Sequence, residues 1–263
     1  MTPQAAQALR KAAEQLTGRP ASYVINSHYH ADHVMGNQVF LPEAVFVSTH
    51  RTRQLIEESK FLDALAEIAS ETAQMEKDLS STEDEGKRRD LLSQIGDNKA
   101  ILASSSTLRQ VLPTLTFEEK LTFHGSRRSA ELLSYGGGHT GSDAFLYLPA
   151  ERLALMADLV VVGHQPMFVQ GDPQAWQGIL ERVKQLDIQT IIPGHGPVGT
   201  IEDAGLIQRY LTTLEELARP VFERGGTLEE AQQLALPEPF ASWEFRNTSN
   251  WNLETLFKRW QNL

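Results

Sequence analysis

Two kinds of pattern alternate along the chain: stretches whose apolar residues recur every three or four positions, and short runs that are apolar almost throughout. "TPQAAQALRKAAEQLTGRP" has the first pattern, which predicts an amphipathic helix running to about Leu16. Thr2 and Pro3 suit its N-cap and first turn, and "TGRP" closes it. "SYVIN", "AVFVS" (44–48), "LTF" (121–123), "ELLSY" (131–135), "AFLYL" (144–148), "LALMAD" (153–158) and "TIIPG" (190–194) have the second pattern and predict strands. Helical spacing returns in "LIEESKFLDALAEIASETAQMEKDL" and "LLSQIGDNKAILASSSTLRQVL", with "SSTEDEGKRRD" as a solvated charged link between them. Asp172-Pro173 opens a helix to about Leu186, and "IEDAGLIQRYLTTLEELARPVFERG" is a long one. Thr227 with Glu230 has the spacing of a capping box, and "WNLETLFKRWQNL" reads as a closing amphipathic helix.

The strands thus fall into two clusters separated by a helical insertion, residues 51–112, within a single domain spanning 1–263. Helices and strands mix without strict βαβ alternation, a pattern of two packed sheets with helices outside. The stripe Leu55, Phe61, Leu62, Leu65 and Ile68 reads as helix packing, not as a substrate groove.

Composition narrows the function classes. The chain has no cysteine, which removes disulfides, thiolate nucleophiles and Cys-based zinc sites. A net charge of -10 argues against a general nucleic-acid or anionic-membrane partner. No apolar run approaches the ~20 residues of a membrane span, and the first segment lacks a secretory apolar region. A cytoplasmic enzyme acting on a small molecule is the expectation.

The chemistry concentrates in "NSHYHADHVMGN" (26–37), where His28, His30, Asp32 and His33 crowd together. Imidazoles and carboxylates are costly to desolvate, and a metal, which takes neutral histidine and ionised carboxylate, removes that cost. Three more ligand types stand at strand ends: His139 in "GGGHTGSD", Asp158 in "LALMADLV" and His195 in "IIPGHGP". His28, His30 and His139 would give one ion three nitrogens and an open position. Asp32, His33 and His195 would serve a second ion, with Asp158 bridging. Seven ligands without sulfur fit two zinc ions, with manganese or iron as substitutes. Thr140, Ser142 and Asp143 are candidates for orienting the ligands. His164, six residues after Asp158, is a candidate substrate contact, and Met167 and Phe168 offer an apolar wall. His50, His124 and Tyr29 read as ordinary polar or packing positions.

"HYHADH", "GGGHTGSD", "LMADLV" and "PGHGP", in this order, closely resemble the motif set of the metallo-β-lactamase-fold hydrolases, over roughly residues 20 to 200. The resemblance implies an α+β fold, a four-layered αββα sandwich with metals at the edge between two sheets. It implies hydrolysis of an ester, thioester, lactone, amide or phosphodiester, and the motif falls on His28, His30, Asp32, His33, His139, Asp158 and His195. Asp32 would also orient or deprotonate the nucleophile. Relatives with this motif also include single-iron enzymes that oxidise persulfides. A mononuclear iron redox enzyme, a β-lactamase of the cysteine-free branch and a non-catalytic metal-binding remnant are therefore the alternatives to a dinuclear zinc hydrolase.

Relatives usually place at least a pair of strands and a first helix ahead of the histidine cluster, whereas 27 residues precede His28 here. The expectation is an N-terminally shortened fold, with an open sheet edge that favours self-association into a homo-oligomer or reduced stability.

Overall fold

The computed structural model describes residues 1–59, 61–63 and 65–262. The chain forms two compact units, Met1–Glu118 and Glu119–Leu263.

The first unit contains α1 (Pro3–Thr17), β1 (Tyr23–Ile25), α2 (Ala31–Val34), β2 (Val45–Thr49), α3 (His50–Ser59), α4 (Leu65–Ser81), α5 (Glu85–Ser104) and β3 (Leu115–Phe117). Thr2 caps α1 by accepting from the Ala5 amide, and Gly18 ends it with a left-handed φ of 68°. The three strands form a parallel sheet in the order β1-β2-β3. A parallel pair cannot be closed by a hairpin and needs a crossover of a dozen or more residues. Helices α3 to α5 are that crossover between β2 and β3, so the segment read as an insertion is part of how this sheet is built.

One apolar cluster of this unit joins Val34 and Met35, just after the histidines, to Ile56, Phe61 and Leu108. Tyr29, Leu62 and Leu65 pack against it. The packing reading of Phe61, Leu62 and Leu65 holds, whereas Leu55 and Ile68 are only half-buried and Ile56 takes the central place. A second cluster, with Ala6, Phe40 and Phe46, seats α1.

Two local expectations change in this unit. The charged stretch "SSTEDEGKRRD" is mostly helical: α4 runs to Ser81 and α5 starts at Glu85, where the Asp84 carboxylate accepts from the Lys87 amide at 2.7 Å. Its Glu, Lys and Arg residues are good helix formers once a cap is supplied. "LTF" at 115–117 is a strand that the apolar pattern did not mark. The helical reading across Lys60 and Ala64, and at Leu263, lies outside the described residues.

The second unit contains β4 (Lys120–His124), β5 (Ser129–Gly136), β6 (Asp143–Leu148), β7 (Leu153–Ala157), α6 (Pro173–Val183), β8 (Thr190–Pro193), α7 (Ile201–Glu223), α8 (Leu228–Gln232) and α9 (Asn247–Gln261). Strands β4 to β7 form an antiparallel meander, and β8 joins parallel to β7 after the α6 crossover. Asp172 caps α6, accepting from the Gln174 and Ala175 amides at 2.9 Å each. The helix stops at Val183, three residues before the expected Leu186. The reciprocal capping box lies at Thr200 and Asp203, while Thr227 caps α8 by accepting from the Glu230 amide.

The core of this unit gathers Phe145, Met156, Leu180, Ile191, Ile207 and Tyr210 around Trp176. Each fully buried aliphatic or Phe side chain contributes about 1.5–3 kcal/mol relative to exposure. α9 starts at Asn247, earlier than the sequence pattern suggested, and buries Asn252, Leu253, Leu256, Phe257 and Trp260. Among the described residues no helix is long and apolar enough to cross a membrane.

Candidate metal centre

Each candidate ligand follows a strand, so a rigid element aims it. In the first unit β1 ends at Ile25, and the Asn26 amide still pairs with the Val47 carbonyl at 2.9 Å. His28 comes next and is 1% exposed. His30 precedes the first turn of α2, which then presents Asp32 and His33 side by side. The rings of His28 and His30 are 4.8 Å apart and those of His28 and His33 4.1 Å. The ligand atoms of His28 and His30 lie within 4.8 Å of each other, as do those of Asp32 and His33. The Asp32 carboxylate stands 3.0 Å from His33 Nε2 and is half exposed.

Asn26 and Asn37, the two ends of the histidine stretch, are buried and exchange amide hydrogen bonds of 3.0 and 2.9 Å. Asn26 Nδ2 also donates to the His33 carbonyl at 3.3 Å, and Asn37 Nδ2 to the Val111 carbonyl at 3.1 Å. This pair closes the ligand-bearing loop and is a feature that the sequence reading missed.

In the second unit His139 and Asp158 are both buried, at 3% and 6% exposure. The Asp143 carboxylate accepts from the Gly138 amide at 2.8 Å, the Thr140 amide at 3.0 Å and the Thr140 hydroxyl at 2.7 Å, fixing the backbone on both sides of His139. Ser142 joins this turn by donating its amide to Thr140 Oγ1 at 3.3 Å. Asp158 is aimed by a break in β7: the register with β8 shifts between Leu155 and Ala157, and Ala157 adopts φ 46°. A left-handed alanine costs about 1–2 kcal/mol, tolerated here at the residue that turns Asp158 off the sheet. Gly194 and Gly196 flank His195 for different reasons. A Cβ on Gly194 would overlap the Asp158 carboxylate, and Gly196 needs φ 97°.

The Asp158 Oδ2 atom lies 3.4 Å from Nε2 of His139 and 3.4 Å from Nε2 of His195. A charge-assisted hydrogen bond would be shorter, about 2.7–2.9 Å. The Met167 carbonyl, which can only accept, is 2.7 Å from His139 Nδ1, so that nitrogen carries the proton. In the neutral ring Nε2 then turns a lone pair toward a carboxylate oxygen, an arrangement that a cation between them makes favourable. The donor set, nitrogen and carboxylate oxygen without sulfur, fits zinc, manganese or iron.

His164 is partly buried beside this half-site. Its Nδ1 donates to the Val162 carbonyl at 2.9 Å, and its Nε2 is 3.2 Å from a Glu244 carboxylate oxygen. Phe245, in the left-handed region at φ 57°, packs its ring 5.2 Å from that of His164 and 6.3 Å from that of His195. No sequence signal marked it. Phe168 departs from expectation. It is 1% exposed in the core of the second unit, so its side chain packs inward and offers no wall to a substrate. His50 and His124 are exposed at the start of α3 and the end of β4.

The family profile described as the metallo-beta-lactamase superfamily matches residues 1–195. Among solved structures, the metallo-beta-lactamase from Pontibacter korlensis is similar over 78% of this chain and 76% of that one, with a TM-score of 0.56 and 17% identity. At that identity the likeness concerns the fold, which is mixed α+β in both sequence pattern and structure. The profile match spans most of the chain and includes every candidate ligand, and the chain belongs to the metallo-β-lactamase superfamily.

Proposed function

We propose that the protein is a metal-dependent hydrolase in which His28, His30, Asp32 and His33 act together with His139, Asp158 and His195 to hold two zinc ions. The observation that carries this reading is Asp158, whose single oxygen faces two imidazole nitrogens at 3.4 Å. A carboxylate so placed is suited to bridging two ions.

When bound, such ions supply hydroxide near neutral pH and polarise the oxygen of a substrate carbonyl. The chain's own groups do the rest. The Met167 carbonyl and Asp143 hold His139 in the tautomer and direction that present Nε2. Asp32, half exposed and next to His33, would orient the nucleophile and take its proton. No serine or cysteine nucleophile is required. The substrate classes proposed, from the likeness to the family, are esters, thioesters, lactones and amides.

The experiment is metal analysis of purified protein beside a panel of chromogenic esters, thioesters, lactones and nitrocefin. The expected result is about two zinc ions per chain and turnover of at least one substrate. His139→Ala and Asp158→Ala should each lose metal and activity. One equivalent of iron with oxygen uptake on a persulfide would replace this reading by a redox one. Full metal loading without turnover on any member of the panel would leave a binding protein.

A further inference from the structure

The C-terminal helix α9 lies beyond the region matched by the family profile, yet one of its residues reaches the loop that orients a ligand. Asn252 is fully buried. Its Nδ2 donates to the Pro166 carbonyl at 2.8 Å and its Oδ1 accepts from the Phe168 amide at 3.0 Å. Those partners fix the amide's orientation, because a carbonyl only accepts and a backbone N–H only donates. The side chain therefore spans the loop as a strand would, gripping it on both sides of Met167.

Met167 supplies the carbonyl that accepts from His139 Nδ1 at 2.7 Å. Around this grip the loop is stitched further. Gln165 donates its amide to the Glu244 carbonyl at 3.0 Å, and Glu244 returns one to the Gly163 carbonyl at 2.9 Å. The Gln165 side chain bonds to the Phe240 carbonyl and the Ser249 amide. Arg259, about two turns further along α9, donates to the Gly171 carbonyl.

We infer that Asn252 is a positioning residue for His139, acting through the Met167 carbonyl, and that it tunes metal affinity given the metal-centre reading proposed above. Groups that orient a ligating imidazole through its second nitrogen are worth about 10–100-fold in metal affinity. Core packing by α9 would by itself predict something different: lower stability with the affinity of folded molecules unchanged.

Two variants separate these. Asn252→Leu keeps the approximate volume and removes both hydrogen bonds to the loop, with the 3.4 Å bond to the Tyr210 hydroxyl. Asn252→Asp keeps the shape and the acceptor for Phe168 but sets a second oxygen against the Pro166 carbonyl. Leu256→Ala, at a buried apolar residue of α9, is the packing control. Zinc affinity is measured by chelator competition, and the His139 ring state by nitrogen-15 NMR of the metal-free protein above the imidazole titration range.

Wild-type His139 should show a proton on Nδ1. The folded Asn252 variants should bind zinc about 10–100-fold more weakly and lose the single-tautomer signature. Leu256→Ala should lose stability and keep both. Wild-type affinity with an unchanged ring signature in a folded Asn252 variant would overturn the inference. So would a proton on Nε2 in the wild-type protein, whether or not the variants fold. If the wild-type chain binds no zinc, the functional reading fails, while the ring signature still decides whether Asn252 positions His139.

Discussion

Asn26 and Asn37 form a reciprocal amide pair across the base of the histidine loop, each donating to the other's side-chain oxygen. Both are buried, so the pair replaces water for two polar side chains and pins the two ends of the segment that carries His28, His30, Asp32 and His33. Asn37→Leu removes both bonds of the pair and the bond to the Val111 carbonyl, leaving the Asn26 side chain only its contact with the His33 carbonyl. The expected cost is about 1–3 kcal/mol in urea unfolding. The double variant with Asn26→Leu should cost less than the sum of the singles, a coupling read from a double-mutant cycle. Strict additivity would mean that the two amides act independently.

Two glycines of the second unit should respond to alanine with opposite signs. Gly194→Ala puts a methyl into the space of the Asp158 carboxylate. A displacement near 1 Å at such a site costs about 10²-fold in rate, so a fall of that order in hydrolysis, with a parallel loss of metal, is expected. Gly178→Ala, within α6 where a Cβ meets nothing within 4 Å, should instead raise stability by about 0.5–1 kcal/mol. Thermal melts with metal titrations on the two variants check both outcomes.

The crossover helices divide into a part that supports the histidine loop and a part that does not touch it. Ile56, Phe61, Leu62, Leu65, Ile101 and Leu108 share a cluster with Val34 and Met35. Beyond the Glu76–Lys99 ion pair, 2.6 Å long, the two long helices continue without residues of that cluster. Replacing residues 78–97 by a short Gly/Ser turn should keep metal content close to wild type. Replacing 55–110 should lose metal and fold together, because it uncovers Val34 and Met35 and removes the parallel crossover. Metal content per folded chain, with circular dichroism, distinguishes them. Equal effects of the two replacements would contradict this division.

Burial pushes the Tyr210 phenol well above its ordinary value, with the hydrogen bond from Asn252 opposing more weakly. The folded state thus holds this proton more tightly than the unfolded chain. Its contribution to stability is complete below the unfolded value of about 10 and is lost as pH rises beyond it. Denaturant unfolding between about pH 8 and 11 should show an alkaline decline, and Tyr210→Phe should flatten it. An unchanged slope in that variant would assign the decline to other groups.

What could be read from the sequence was local. Each candidate ligand sits in a short motif, and glycines flank His139 and His195, so residue type and spacing within a dozen positions sufficed to single them out. The strands of the second unit were legible for the same reason: they are buried runs punctuated by turn residues. The near supports, Thr140 and Asp143 beside His139, were legible in the same motif, but the distant ones were not. Asn37 meets Val111 across 74 positions and Asn252 meets Pro166 across 86, and an asparagine carries no periodic mark of burial. β3 escaped notice because three residues, two of them exposed, make no pattern until β2 pairs with them. Phe168 was misread because an aromatic in a loop gives no sign of which way it points.

The tie between Asn252 and the Met167 loop also has a temporal side. A hydrogen bond spanning more than eighty positions closes a long loop, at a larger entropy cost than the pairing of adjacent strands. Given the positioning role inferred for Asn252, the orientation of His139 is expected to be completed when α9 docks and not when β5 and β6 pair. The backbone proton of Phe168 should exchange with solvent at the rate at which α9 undocks, making one amide in mid-chain a reporter on the last helix.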